Sequence, residues 1–220
     1  VGVYRTARTL PEGEGDFTLT WSYVRATVEE HDVTTQIDGE KIVVAREPKM
    51  SFGFPQVVPE LAYHHGVAPN LELGGRLAPT AGLGEIDAKY RFLGGDGVPL
   101  HLAVQPTVGY RGLGFLHGLT TSLPLIATYD VTNAVSINSA LFGMYTSYDL
   151  NGGQDDLDFG GNSVSGGLSG GVQFRAKGGF HLMPSVELQR TLARSGVSAS
   201  LPDITSTIFA VTMGWGPEPL

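Results

Sequence analysis

His64 and His65 stand beside Glu60 and Tyr63, and a further histidine, His101, falls in a segment of similar character. An imidazole titrates near neutral pH and, held next to a carboxylate, serves as a general base. His64 or His101 with Glu60 is therefore a candidate set for a hydrolase at a rim or in an interior. The plainer role for the same residues is an interior hydrogen-bond network for His64, with His65 at an interface near a turn. The chain has no Cys, which removes thiolate catalysis, disulfides and Cys-bound zinc.

Asp149, Asn151, Asp155, Asp156 and Asp158 form the most acidic stretch. Clustered carboxylates with an Asn suit Ca²⁺, although the spacing does not match an EF-hand loop. A solvated surface loop explains the same residues. Apart from this possible Ca²⁺, no cofactor is expected. Gly166-Gly167-Leu168-Ser169-Gly170-Gly171 lies in a strand pattern and not between a strand and a helix, so it cannot cradle a phosphate. Its glycines suit a close approach by another surface. Ser139, Gly143, Gly166 and Gly170 together suggest a seam for a partner, such as another envelope protein.

The elements that must position these residues repeat every two positions. In Phe17-Thr18-Leu19-Thr20-Trp21-Ser22-Tyr23 the large apolar side chains alternate with hydroxyls. In Ile86-Asp87-Ala88-Lys89-Tyr90-Arg91-Phe92 the intervening positions carry charge. Successive side chains of a strand point to opposite faces, so one face is greasy and the other polar. Ten such segments are expected, at 16–27, 56–66, 70–78, 83–93, 99–110, 119–130, 134–148, 164–176, 179–191 and 204–215. Helical periodicity is almost missing, and no run of about 18 apolar residues offers a transmembrane helix. Net charge is −8, which argues against nucleic acid as a partner.

The connectors sort by length. Ala68-Pro69-Asn70, Gly94-Gly95-Asp96-Gly97, Val131-Thr132-Asn133 and Lys177-Gly178-Gly179 are short and rich in turn formers. They follow the even-numbered strands. Longer connectors follow the odd-numbered ones, except for Pro79-Thr80-Ala81-Gly82. Short turns at one rim and long loops at the other mark an outer-membrane barrel. The longest connector, 28–55, contains β-formers around Asp38-Gly39 and reads as a hairpin standing above the rim. The rival reading adds its two arms to the wall, making twelve strands.

Two sets of residues test this orientation. Trp21, Tyr23, Tyr63, Tyr90, Tyr110, Tyr129, Phe174 and Trp215 would form aromatic girdles among lipid-facing Leu, Ile and Val. Glu60, His64, Glu72, Arg76, Glu85, Asp87, Lys89, Arg91, His101, Arg175 and Glu187 would face the lumen as a charge network. They would pair there, because an unpaired charge in a narrow interior costs several kcal/mol.

His65-Gly66-Val67-Ala68-Pro69-Asn70-Leu71-Glu72-Leu73-Gly74 and Ile86-Asp87-Ala88-Lys89-Tyr90-Arg91-Phe92-Leu93 resemble the wall strands of small bacterial outer-membrane β-barrel proteins. Tyr4-Arg5-Thr6-Ala7-Arg8-Thr9-Leu10-Pro11 is similar to their entry segment. The resemblance is one of pattern over roughly 16–215 and identifies no subfamily. Trp215 stands where a terminal aromatic ends the last strand, but Gly-Pro-Glu-Pro-Leu follows it. What the resemblance implies is a location in the outer membrane, with lipid as the surrounding partner. Ten strands is also the number associated with omptin-type proteases, but their paired Asp and Asp-His couples cannot be placed in this chain.

The expectation is therefore all-β: one antiparallel transmembrane barrel of about ten strands over 1–220. It has short periplasmic turns, longer extracellular loops, an entry segment at 1–15 and a largely plugged lumen. A structural, anchoring or accessory role fits it first, presenting loops 28–55, 111–118, 149–163 and 192–203. A narrow pore with Arg76, Lys89 and Arg91 opposite Glu60, Glu72 and Glu85 is the alternative, and the hydrolase the third. A soluble barrel holding a lipophilic ligand would need the greasy face turned inward.

Overall fold

The computed structural model describes residues 5–37, 40–56, 58–95, 97–113, 116–150, 160–196 and 203–217. The chain runs through β1 (Gly15–Val28), β2 (His31–Ile37), β3 (Glu40–Glu47), β4 (Met50–Pro55), β5 (Glu60–Ala68), β6 (Leu71–Ala78) and β7 (Leu83–Leu93). It continues through β8 (Leu100–Val104), β9 (Thr107–Leu113), β10 (Leu116–Thr132), β11 (Val135–Leu150), β12 (Gly161–Arg175), β13 (Phe180–Gly196) and β14 (Ile204–Trp215). All pairing is antiparallel, and the register closes on itself through β14–β1 and β10–β11.

Two wall strands are interrupted. β4 and β5 both lie along β1, β4 on its upper part (Val28↔Met50) and β5 on its lower part (Gly15↔His65). β8 and β9 likewise share β10, broken at Gln105-Pro106. Pro has no N–H to give to a ladder, so the break falls there. Counted as wall positions, the barrel has ten strands. Among the described residues β2 and β3 pair with each other alone, in a separate two-stranded sheet. The hairpin expected within 28–55 is thus His31–Glu47 alone, and Met50–Pro55 belongs to the wall. The reading with twelve wall strands is excluded.

The short turns between β5 and β6, β7 and β8, β10 and β11, and β12 and β13 share one rim with the start of β1 and the end of β14. At the other rim the strands reach further than the sequence pattern suggests. β9 and β10 stay paired up to Leu113↔Leu116, so most of the long loop expected at 111–118 is strand. β11 reaches Leu150 and β13 reaches Gly196, which shortens the other two connectors. β6 and β7 are joined by a single 3-10 turn at Pro79–Ala81, and the wall is lowest there.

The burial pattern is that of a soluble domain turned inside out. Among the largest fully buried side chains are Lys89, His64, Glu72 and Glu187, with Ile126 the apolar exception. Outside, Ile86 is 71% exposed, Leu141 65% and Leu168 54%, within a continuous belt of Leu, Ile, Val and aromatic residues. Removing one such side chain from water is worth about 1.5–3 kcal/mol. Leaving the whole belt in water would forfeit tens of kcal/mol against a net stability of about 5–15 kcal/mol. The belt faces hydrocarbon, and the soluble-barrel reading falls.

Tyr63, Phe17, Trp215 and Phe180 are register neighbours on four adjacent strands at the short-turn rim. The Phe180 and Trp215 rings meet at 5.4 Å. Tyr90, Tyr129 and Phe174 continue this row outward, while Tyr23, Tyr110 and Tyr145 lie toward the long-loop end. Trp21 sits between the two rows, within the belt. These rows are the aromatic girdles at the two membrane interfaces.

Candidate functional site

The lumen is the site, and the element that completes it is not a strand. Residues 5–14 turn back into the barrel at the short-turn rim. Glu14 and Gly13 dock on β5 through Gly66 N–H to Glu14 O (2.9 Å) and Gly13 N–H to Gly66 O (2.8 Å). A Cβ at Gly66 would stand 2.1 Å from Pro11 O, so glycine is what allows the segment to lie against the wall. Further in, Ala7 is fully buried beside Ala103, Ile126 and Ala140, and its N–H donates to Thr128 Oγ1 at 2.7 Å.

Two arginines of this segment serve as counterions for carboxylates on three strands. Arg5 lies 2.5 Å from Glu72 on β6 and 3.8 Å from Asp16 on β1. Arg8 pairs with Asp130 on β10. The wall answers through Lys89, which donates to Thr6 O at 3.2 Å, and Glu72, which accepts from Leu10 N–H at 3.1 Å. On its far side Arg5 lines a small polar cavity with Asn138, Ser169, Met183 and Ser185. The segment therefore reaches across the lumen, from β6 toward β11–β13.

The charged side chains on the inner face of the wall fall into clusters. Glu72, buried with no exposed surface, accepts from Lys89 at 3.0 Å. His64 Nε2 lies 2.9 Å from Asp87 Oδ2, and Gln105 donates to Asp87 Oδ1 at 2.9 Å. Gly74 makes room for this couple, since a Cβ there would sit 1.9 Å from the His64 ring. Arg76 bridges Glu60, at 3.1 Å, and Glu85. Toward the rim, His101 Nε2 is 2.8 Å from Asp130, and Arg175 reaches Asp130 at 3.3 Å. Glu187 is fully buried on β13.

Arg91 departs from the expectation. It donates to Asn70 Oδ1 and Pro69 O in the β5–β6 turn, so it clamps the rim and takes no part in the interior network. His64 and His101 belong to different clusters, each with its own Asp. Among the described residues no group of three potential ligands is arranged for a metal. Asn151, Asp155, Asp156 and Asp158 lie outside the described residues, and of Asp149 only the backbone pairing with His117 is defined. Ser139↔Gly170 and Gly143↔Gly166 are cross-strand pairs on the outer face, with exposed Leu141 and Leu168 standing between them.

Arg5, Arg8, Asp16, Asp130 and His181 were not among the expected network. One signal for the first two exists in the sequence: the lumenal positions of the strands carry more carboxylates than basic groups, and a narrow interior needs the difference supplied from elsewhere.

No protein-family model matches the chain, and neither does any curated protein. Several solved structures are similar to it. The outer membrane protease OmpT from Escherichia coli shares 8% identity at a TM-score of 0.49, covering 96% of this chain and 99% of that one. Ail, the attachment invasion locus protein of Yersinia pestis, shares 14% at 0.34, covering 94% and 100%. An outer membrane channel from Pseudomonas putida F1 shares 12% at 0.44, covering 96% and 98%. At these identities and scores nothing of those proteins' activities passes to this chain. Its closed register, outward apolar belt and paired lumenal charges are its own, and they are the architecture of a β-barrel of the bacterial outer membrane.

Proposed function

We propose that the protein is a closed outer-membrane barrel that anchors and presents its long-loop rim, with residues 5–14 as an internal seal. The observation that carries this reading is the double counterion role of Arg5 and Arg8 inside the lumen. A solute pore needs a continuous polar path with charges free to meet ions. Here Arg76 is taken up by Glu60 and Glu85, Lys89 by Glu72, and Arg175 by Asp130. The short-turn end of the lumen is crossed by peptide.

At the opposite rim the β2–β3 hairpin, a sheet separate from the wall, and the extended β10–β13 ends are what another envelope component would meet. Planar-bilayer recording tests the reading: the purified protein is expected to insert without steady channel openings. Steady openings from the intact chain would overturn it.

A further inference from the structure

The long-loop end of the lumen differs from the rest. Arg5, Arg8, Arg76, Lys89 and Arg175 each reach a carboxylate. Among the described residues Arg111 reaches no carboxylate and its buried Nε has no hydrogen-bond partner. It faces inward: its register partner Leu83 is buried, and Gly109, two residues before it, is covered by the Glu85 side chain.

Across the low β6–β7 hairpin, β4 presents an apolar face at the same rim. Phe54, Phe52 and Met50 pair with Val24, Ala26 and Val28 of β1, and cross-strand partners share a face. Ala26 is buried and Val24 packs on buried Met183, Ile208 and Ala210, which identifies that face as the lumenal one. Even so, Met50, Phe52 and Phe54 are 54%, 50% and 49% exposed. The Phe52 and Phe54 rings stack at 6.4 Å with nothing described above them. Among the described residues β4 pairs with β1 only, which leaves its other edge without a strand where the wall is low.

Arg194 also faces inward at this rim, beside buried Ser163, but it is taken up by Thr191. An inward arginine with an unpartnered Nε among the described residues, and an exposed inward aromatic face at the same rim, call for a ligand with both properties. We infer that this vestibule binds an amphiphilic anion: a single acidic head on Arg111 and an alkyl chain on Phe52 and Phe54. A guanidinium pairs with a carboxylate through charge-assisted hydrogen bonds, and a partly dewetted site strengthens them. The chain supplies apolar area to rings that water now touches. This goes beyond the closed-anchor reading and does not depend on it, because the vestibule lies at the rim away from the seal.

The test uses the full chain in nanodiscs of zwitterionic lipid, with empty discs subtracted. The probe is 11-(dansylamino)undecanoic acid, and its primary amide is the uncharged control. Saturable binding of the acid above empty discs is expected. Arg111→Gln should weaken it at least tenfold while leaving the amide unchanged, and Arg111→Lys should retain most of it. Phe52→Ala with Phe54→Ala should weaken acid and amide alike. Heat-modifiable gel migration confirms that each variant is folded. Absence of saturable binding, equal affinity of Arg111→Gln and the intact chain, or competition by inorganic phosphate at the same concentration as a long-chain carboxylate would each overturn the inference.

Discussion

Arg5 and Glu72 approach to 2.5 Å inside the barrel, joining the segment that precedes the first strand to the third position of the wall. Glu72 is completely enclosed and also receives Lys89 and the Leu10 N–H. One carboxylate therefore collects two cations and a backbone donor, and the N-terminal segment contributes two of the three. Removing one partner of a buried pair costs about 3–5 kcal/mol, because the other charge stays behind. Arg5→Ala should lower barrel stability by about this amount in denaturant titrations followed by gel migration. Arg5→Ala with Glu72→Gln should recover part of the loss, and an additive double mutant would show that the two side chains are not coupled.

Gly66 offers a way to move the seal without touching a charge. A Cβ there meets Pro11 O at 2.1 Å, a contact with backbone that cannot rotate away. Gly66→Val should lift residues 5–14 from the wall and expose Arg5 and Arg8 to trypsin. The readout is the N-terminus of the digested, still folded barrel, and the intact chain should resist cleavage at these two sites. Equal cleavage of both would show that the segment is not docked.

Gly74 and Gly143 make a paired comparison inside and outside the wall. A Cβ at Gly74 would collide with the His64 ring at 1.9 Å, whereas one at Gly143 meets nothing within 4 Å. Overpacking costs about 1–3 kcal/mol. Gly74→Ala should fall in that range and Gly143→Ala should be close to neutral, both by denaturant midpoint.

The lipid-facing belt predicts a depth profile. Leu141 stands between Ile137 toward the short-turn rim and Tyr145 toward the long-loop end, all facing outward. Leu141→Arg should cost about 2–4 kcal/mol, and Val131→Arg, beside the short turn, about 0–1 kcal/mol. Refolding equilibria into lipid vesicles measure both. Equal costs at the two positions would mean that the belt does not span hydrocarbon.

Much of this molecule is legible in its sequence, and the limits have physical reasons. Ile86 to Phe92 shows its orientation at once, because period-2 alternation converts directly into two faces and the charges mark the inner one. Pro79-Thr80-Ala81-Gly82 already stands out as a short connector at the long-loop rim, and the wall is lowest there. Met50–Pro55 reads as loop because its large apolar residues face inward, against the alternation that most of the wall follows. Arg91 alternates correctly into the lumen but lies so near the strand end that the turn captures it. Arg5 and Arg8 sit in a segment without periodicity, and two of their partners, Glu72 and Asp130, are far along the chain. Only the surplus of lumenal carboxylates hints that cations must be brought in.

The seal itself is tested most directly by single-channel recording of two proteins side by side: the intact chain, and a variant lacking residues 5–13 that still shows heat-modifiable migration. The predicted result is a silent intact barrel and a deletion variant with steady, cation-preferring conductance, since Asp16 and Glu72 lose Arg5 and Asp130 loses Arg8. Identical steady conductance from both proteins would contradict the account.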